Sequence, residues 1–193
     1  LHKDHLSIIN QREIGTDTDN YATAMKRIIR QDPDVILIGE LGDLETAKSA
    51  IAAAETGHLV LSTLHTTNAT ETIHKIVDMF PEHQQKSARM MLASSLKGII
   101  WQKLITKVDG LGRVPACEVM TMTSRIFDRI VDPGDHALEL EDIIADGEYY
   151  GMHTLDQSLL QLFGDSLVTR REALGNATNP TELRATMESI RSE

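Results

Sequence analysis

Two runs stand out along the chain, the unbroken apolar Val35-Ile36-Leu37-Ile38 and the largely apolar Leu59-Val60-Leu61-Ser62-Thr63-Leu64. Runs of this length that do not alternate with polar residues, the first of them rich in β-branched side chains, predict strands covered on both faces of a parallel sheet. Asp32-Pro33 opens the first run and Gly39 closes it. Between the runs, Leu44, Ala47, Ile51 and Ala54 recur at helical spacing behind Asp43, whose side chain suits a helix start, and Gly57 supplies a left-handed stop. Ahead of them, Tyr21, Ala24 and Ile28 predict a helix over 21–30 that Asp32-Pro33 ends, and Asn68 with Glu71 forms a capping pair for a helix to about Val77. Strand and helix therefore alternate, which predicts right-handed βαβ units and an α/β fold built on a parallel sheet.

The rest of the pattern is less regular. Ser7 to Gln11 reads as a short strand. Pro81 opens a helical stretch expected to run to Trp101 or Leu104, with Met90, Met91, Leu92 and Leu96 facing the core and Trp101 at its edge. Asp109-Gly110-Leu111-Gly112 is a turn, and Val114 to Met120 a strand that Pro115 assigns to an edge. After Pro133-Gly134 no strand signal remains. Three helix starts follow, at Thr154 with Gln157, Thr169 with Glu172, and Asn179-Pro180 with Glu182. The expected division is an α/β portion over 1–134 and a small helical subdomain over 135–193.

Composition narrows the function classes. Lys and Arg number 19 against 29 Asp and Glu, a formal charge of −10, which disfavours non-specific binding to nucleic acid or to an anionic membrane surface. The single cysteine, Cys117, excludes an internal disulfide and suits a reducing compartment. No apolar stretch reaches the ~20 residues that span a bilayer, so no membrane insertion is expected. Leu1 is followed by neither a basic segment nor an apolar signal core, and the chain is expected to begin inside a longer protein.

The chemistry concentrates at the ends of the two runs. Ligands bind at the carboxyl ends of strands in open α/β sheets, and Glu40 sits there, where a rigidly held carboxylate can orient a water or a hydrated Mg²⁺. The plainer reading is a loop carboxylate that caps or pairs locally. His58 opens the second run and His65 closes it; His65 is expected beside Glu40, where an imidazole can hydrogen-bond a terminal phosphate, with Thr63, Thr66 and Thr67 as further donors. His58, following Gly57, reads equally well as a loop residue. A metal-dependent hydrolase built on Glu40, His58 and His65 lacks zinc-ligand spacing, and His2 and His5 lack a third ligand. The acidic residues from Glu139 to Glu148 read as a solvated face.

The segment from Asp32 to Asp43, followed by AAAETGHLVLSTLHTTNATETI, resembles the Walker B and His-box segments of the type II/type IV secretion ATPases, and most of all the pilus-retraction members. NQRE at 10–13, MFPEHQQ at 79–85 and GMHTLDQSLLQLF at 151–163 resemble the same family in order and spacing. The resemblance implies a RecA-like P-loop ATPase working as a ring-shaped homo-hexamer, with ATP and Mg²⁺ bound between subunits. It further implies a cytoplasmic motor at the inner-membrane pilus machinery and its platform protein, powering type IV pilus retraction in twitching motility, or related secretion. By matching position, Glu40 corresponds to the Walker B acid, reaching Mg²⁺ through water, and His58 and His65 to the His-box histidines near the nucleotide. Arg12 in NQRE is read either as facing a phosphate across a subunit boundary or as a surface ion pair, and Thr63 and Thr66 as nucleotide-binding.

The chain also departs from the family. It contains no G-x-x-x-x-G-K-[ST] and no segment matching the acidic box; Gly42 stands where the family has Arg, and SRIFDRIV at 124–131 follows the Ala-Ile-Arg pattern only loosely. The expectation is therefore the second half of a motor, inactive on its own and with an uncovered apolar sheet edge. The alternative is a non-hydrolysing assembly or regulatory module of the same fold.

Overall fold

The computed structural model describes residues 2–134 and 139–190. The expectation concerning Leu1 and the expected boundary at 134/135 fall on residues outside that description. The chain forms two compact units. The first holds the described residues up to His65 together with Ile76–Ser95; the second holds Thr66–Lys75 together with the described residues from Leu96 onward.

In the first unit, α1 (Tyr21–Ile28) is capped by the Asn20 carboxamide, which accepts from the Thr23 N–H at 2.8 Å. A single 3₁₀ turn, Ile29–Gln31, carries the chain to Asp32, whose left-handed conformation (φ 53°) ends the helix just before Pro33. β1 (Val35–Ile38) then leads to α2 (Leu44–Glu55), where Asp43 accepts from both the N–H and the hydroxyl of Thr46, at 2.8 and 3.0 Å. Gly57, at φ 100°, turns the chain into β2 (Leu59–Ser62). β1 and β2 pair in parallel, Val35 opposite Leu59 and Ile38 opposite Ser62. The helix between them is the crossover of a βαβ unit, and its alanines let it lie close to the sheet, with Ala50 and Ala53 packed on Ile36, Ile38 and Met25.

Coverage of both sheet faces is not observed. Ile36 and Ile38 are buried under α1 and α2, but Val35, Leu37, Leu59 and Leu61 on the other face are 51, 65, 46 and 48 % exposed. An unbroken apolar run reports that both faces suit a core, while the described residues supply a cover for only one. Residues 7–11 also differ from expectation. They form no strand; Leu6 and Ile8 are exposed, and local contacts such as the Ile9 N–H to Asp4 carboxylate bond (2.7 Å) replace strand pairing.

α3 (Ala69–Asp78) starts at Asn68, whose side chain accepts from the Glu71 N–H at 2.7 Å, and α4 (Glu82–Ser95) follows Pro81. The helix expected to reach residue 101 or 104 stops at Ser95. From Gly98 the alternation Ile99, Trp101 on one side and Ile100, Gln102 on the other makes β3 (Gly98–Thr106), which pairs antiparallel with β4 (Arg113–Thr121). Gly98 is required there, since a Cβ would lie 2.7 Å from the Met120 carbonyl oxygen. Of the residues expected to face the core along this stretch, Leu92 does and Met90 is exposed. The hairpin turn at 109–112 is as expected, with Gly110 and Gly112 at positive φ.

The second unit is completed by α5 (Ser124–Val131), α6 (Leu140–Ala145), α7 (Leu155–Gly164), α8 (Arg170–Asn176) and α9 (Pro180–Ile190). The three anticipated helix starts are present: Thr154 and Gln157 form a reciprocal capping box, Thr169 accepts from Glu172 N–H at 3.1 Å, and Asn179 accepts from Glu182 N–H at 3.3 Å. Leu155, Leu159, Leu183 and Met187 pack with Ile105 and Ala116 of the hairpin into one core, with Trp101 at its margin. Among the described residues no helix is long and apolar enough to cross a membrane.

Candidate functional site

The site is built where the β1–β2 ladder ends. Beyond Ile38 and Ser62 the pairing continues through side chains: the Ser62 hydroxyl donates to the Ile38 carbonyl at 3.0 Å and the Thr63 hydroxyl to the Gly39 carbonyl at 2.6 Å. The Leu41 N–H returns to the Thr63 carbonyl at 3.1 Å. Glu40 is thus held between two peptides tied to the neighbouring strand. Its Oε2 lies 3.8 Å from Nε2 of His65, with the two side chains 58 and 91 % exposed. An exposed pair at that distance adds little to stability, typically below about 1 kcal/mol. The pair lies exposed at the carboxyl ends of the two strands. Gly42 stands close by, and a Cβ there would lie 3.8 Å from Glu40 Oε1.

Arg12 belongs to the same unit, in the segment before α1. Its Nη1 is buried and has no hydrogen-bond partner among the described residues. A buried guanidinium N–H lacking an acceptor is costly, by about 1–3 kcal/mol, and a phosphate oxygen is the kind of acceptor that would satisfy it.

His58 lies elsewhere. It precedes Leu59, which pairs with Val35 at the start of β1, so it stands at the far end of the strand pair, roughly 13 Å of strand from the Glu40 end at ~3.3 Å per residue. Its Nδ1 lies 3.0 Å from the Ala53 carbonyl and 3.2 Å from the Thr56 hydroxyl, closing the end of α2. Glu40, His58 and His65 therefore do not converge, and among the described residues no group of three or more His, Cys, Asp or Glu side chains could hold a metal. Thr66 opens the second unit; its hydroxyl is 2.7 Å from that of Thr72 and its carbonyl accepts from the Trp101 indole N–H at 2.6 Å.

Sequence reasoning did not single out Glu118. This residue is buried, and its Oε1 accepts from the Ala69 N–H at 2.7 Å. Burial pushes its carboxyl above the usual range, the Ala69 bond opposes that shift, and the charges of Glu141 and Asp156 add to it. The signal was present in the sequence: Ala116, Glu118 and Met120 occupy alternate positions of one strand, which puts an acid on a core-facing row.

With this geometry in place, comparison with known proteins is decisive for ancestry. Residues 4–139 match the family model described as Type II/IV secretion system protein. The chain belongs to that family. It is 42 % identical over 180 residues to the type IV pilus retraction ATPase PilT of Pseudomonas aeruginosa, covering 93 % of this chain and 52 % of that protein. It is 40 % identical over 179 residues to a twitching motility protein of Neisseria gonorrhoeae, covering 93 % of this chain and 47 % of the relative. A crystal structure of the pilus retraction motor PilT with bound ADP superposes with a TM-score of 0.81 at 41 % identity, over 96 % of this chain and 51 % of that one. The α/β reading and the RecA-like secretion ATPase fold are thereby established. The chain spans about half the length of the curated relatives it matches.

Proposed function

We propose that this chain is part of a motor that hydrolyses Mg-ATP to power type IV pilus retraction or related secretion, working as a homo-hexamer at a membrane platform protein in the cytoplasm. The observation that carries the reading is the Glu40–His65 pair, 3.8 Å apart at the carboxyl ends of adjacent parallel strands. The PilT relative was crystallised with ADP, which supports a nucleotide as the ligand.

The residues fit such a ligand. Bound Mg²⁺ would supply charge neutralisation at the phosphates, and Glu40 is the carboxylate that would hold it through water. His65, beside Glu40, is the donor for a phosphate oxygen, and the orphaned Nη1 of Arg12 is a second. Thr63 acts by tying the Gly39 carbonyl, since its proton is engaged there. His58, engaged at the end of α2, is the His-box residue whose part is to set the α2–β2 corner. No phosphate-cradling P-loop sequence occurs in these 193 residues, so by themselves they have negligible turnover.

The test is ATP hydrolysis by the full-length gene product beside its Glu40→Gln variant. The reading expects turnover that falls by roughly 100-fold or more in the variant, with nucleotide binding retained. An inactive full-length protein would favour the non-hydrolysing assembly module, for which the Gly42 departure is the specific observation.

A further inference from the structure

The polar segment after β2 is anchored by two residues that do not belong to it. Trp101, in β3, donates its indole N–H to the Thr66 carbonyl at 2.6 Å. Glu118, in β4, accepts the Ala69 N–H at 2.7 Å, taking up a first-turn donor of α3 that has no intrahelical partner. The two anchoring positions are themselves cross-strand partners, Trp101 opposite Glu118 in the hairpin register. One rung of the hairpin therefore fixes both ends of the segment Thr66–Ala69. His65 is joined to that segment by the peptide bond before Thr66, and the division between the two compact units falls at that bond.

Both anchors are unusual choices for structure alone. A carboxylate on a core-facing row carries a desolvation penalty, and a buried cap for one helix N–H is supplied more cheaply by a serine or asparagine near the helix start. Asn68 already caps α3 through Glu71 N–H at 2.7 Å. Trp101 is the only tryptophan of the chain, and packing at the margin of its core does not call for an N–H donor.

We propose that Trp101 and Glu118 are positioning residues of the nucleotide site, fixing the Thr66–Ala69 backbone and through it the placement of His65. The proposal rests on the ATPase reading. Each is proposed to act through the backbone that carries His65, Trp101 at Thr66 and Glu118 at Ala69.

The experiment is steady-state hydrolysis by the full-length protein with Trp101→Phe, Glu118→Val and Glu118→Gln, each made alone, and Trp101→Phe also made in a His65→Ala background. Trp101→Phe keeps an aromatic, though smaller, side chain and removes the donor; Glu118→Gln keeps an acceptor for Ala69. The proposal expects kcat to fall about tenfold in Trp101→Phe and Glu118→Val with KM within about twofold, since misplacement of a reacting group acts on the chemical step. It expects Glu118→Gln to restore most of the loss, and Trp101→Phe to have no further effect once His65 is alanine. Unchanged kcat in Trp101→Phe, or a loss that simply multiplies with that of His65→Ala, overturns it while leaving the ATPase reading intact. A wild-type protein without turnover overturns both.

Discussion

The Thr63 hydroxyl donates to the Gly39 carbonyl at 2.6 Å, one peptide bond before Glu40, while the Thr63 carbonyl accepts from Leu41 one residue after it. A single threonine thus brackets the proposed Walker B acid from the neighbouring strand. Thr63→Val keeps the shape and removes the donor. We expect it to cost at most about 1 kcal/mol in stability, because the site is exposed, yet to lower turnover of the full-length protein about tenfold by loosening Glu40. Thr63→Ser should restore both. Chemical denaturation and kcat measured side by side check this, and equal kcat in Val and wild type would show that the bracket is irrelevant to Glu40.

Val35 pairs with Leu59 and Leu37 with Leu61, so these four exposed side chains share one face of the β1–β2 sheet. A contiguous apolar face of this kind drives association when nothing covers it. The 193-residue chain should therefore self-associate in a concentration-dependent way. Leu37→Lys with Leu61→Lys should shift it toward monomer without unfolding it, because both side chains point away from the α1–α2 side. Sedimentation velocity across a dilution series decides the point, and an unaltered distribution in the double variant would place the association elsewhere.

How much of this was legible in the sequence follows from what each signal depends on. The Asp43, Asn68, Thr154 and Thr169 starts were readable because capping is decided within three residues. The Glu40–His65 proximity was readable because parallel neighbours end at one edge. The helix expected to continue to Trp101 was not, since Met90 to Leu96 fit helical spacing and only pairing with β4, whose partner residues lie 7 (Thr106 with Arg113) to 23 (Gly98 with Thr121) positions on, makes Gly98–Thr106 a strand. His58 opens the second run and His65 closes it, so their separation at opposite ends of β2 was legible too; the bonds that tie His58 to the end of α2 were not. The Trp101 and Glu118 anchors depend on cross-strand register, which local pattern does not encode.

Glu118 carries a pH signature. Burial raises its folded-state pKa above the ordinary 4.5, so in the intervening range the folded state binds more protons than the unfolded one. Its contribution to stability is then fully present below about pH 4.5 and is lost as pH rises through the folded pKa. Glu141 shifts in the same direction, chiefly by burial and then by Asp156 and Asp142. Glu71 has the opposite sign: hydrogen bonds from Thr67 lower its pKa, so its contribution is present above 4.5 and is lost on acidification. Glu118→Gln removes the first effect while leaving an acceptor for Ala69. Urea midpoints between pH 4 and 8 should show the variant gaining on wild type as pH rises. A constant difference across that range would mean that Glu118 does not titrate with folding.

Arg12 separates stability from function most directly. Its Nη1 is buried without a partner among the described residues, a state that penalises the fold by about 1–3 kcal/mol. Arg12→Met keeps the aliphatic stem and removes the unsatisfied donors, so its melting temperature should equal or exceed that of wild type. If the same nitrogen meets a phosphate, Arg12→Met must also weaken nucleotide binding by the full-length protein, by about tenfold for one charge-assisted hydrogen bond of ~1.5 kcal/mol. Differential scanning calorimetry and nucleotide titration on the same preparation measure both quantities. A variant that is less stable with unaltered affinity would make Arg12 a structural residue and remove it from the nucleotide site, whereas gain in one and loss in the other is what a residue held ready for an absent anion produces.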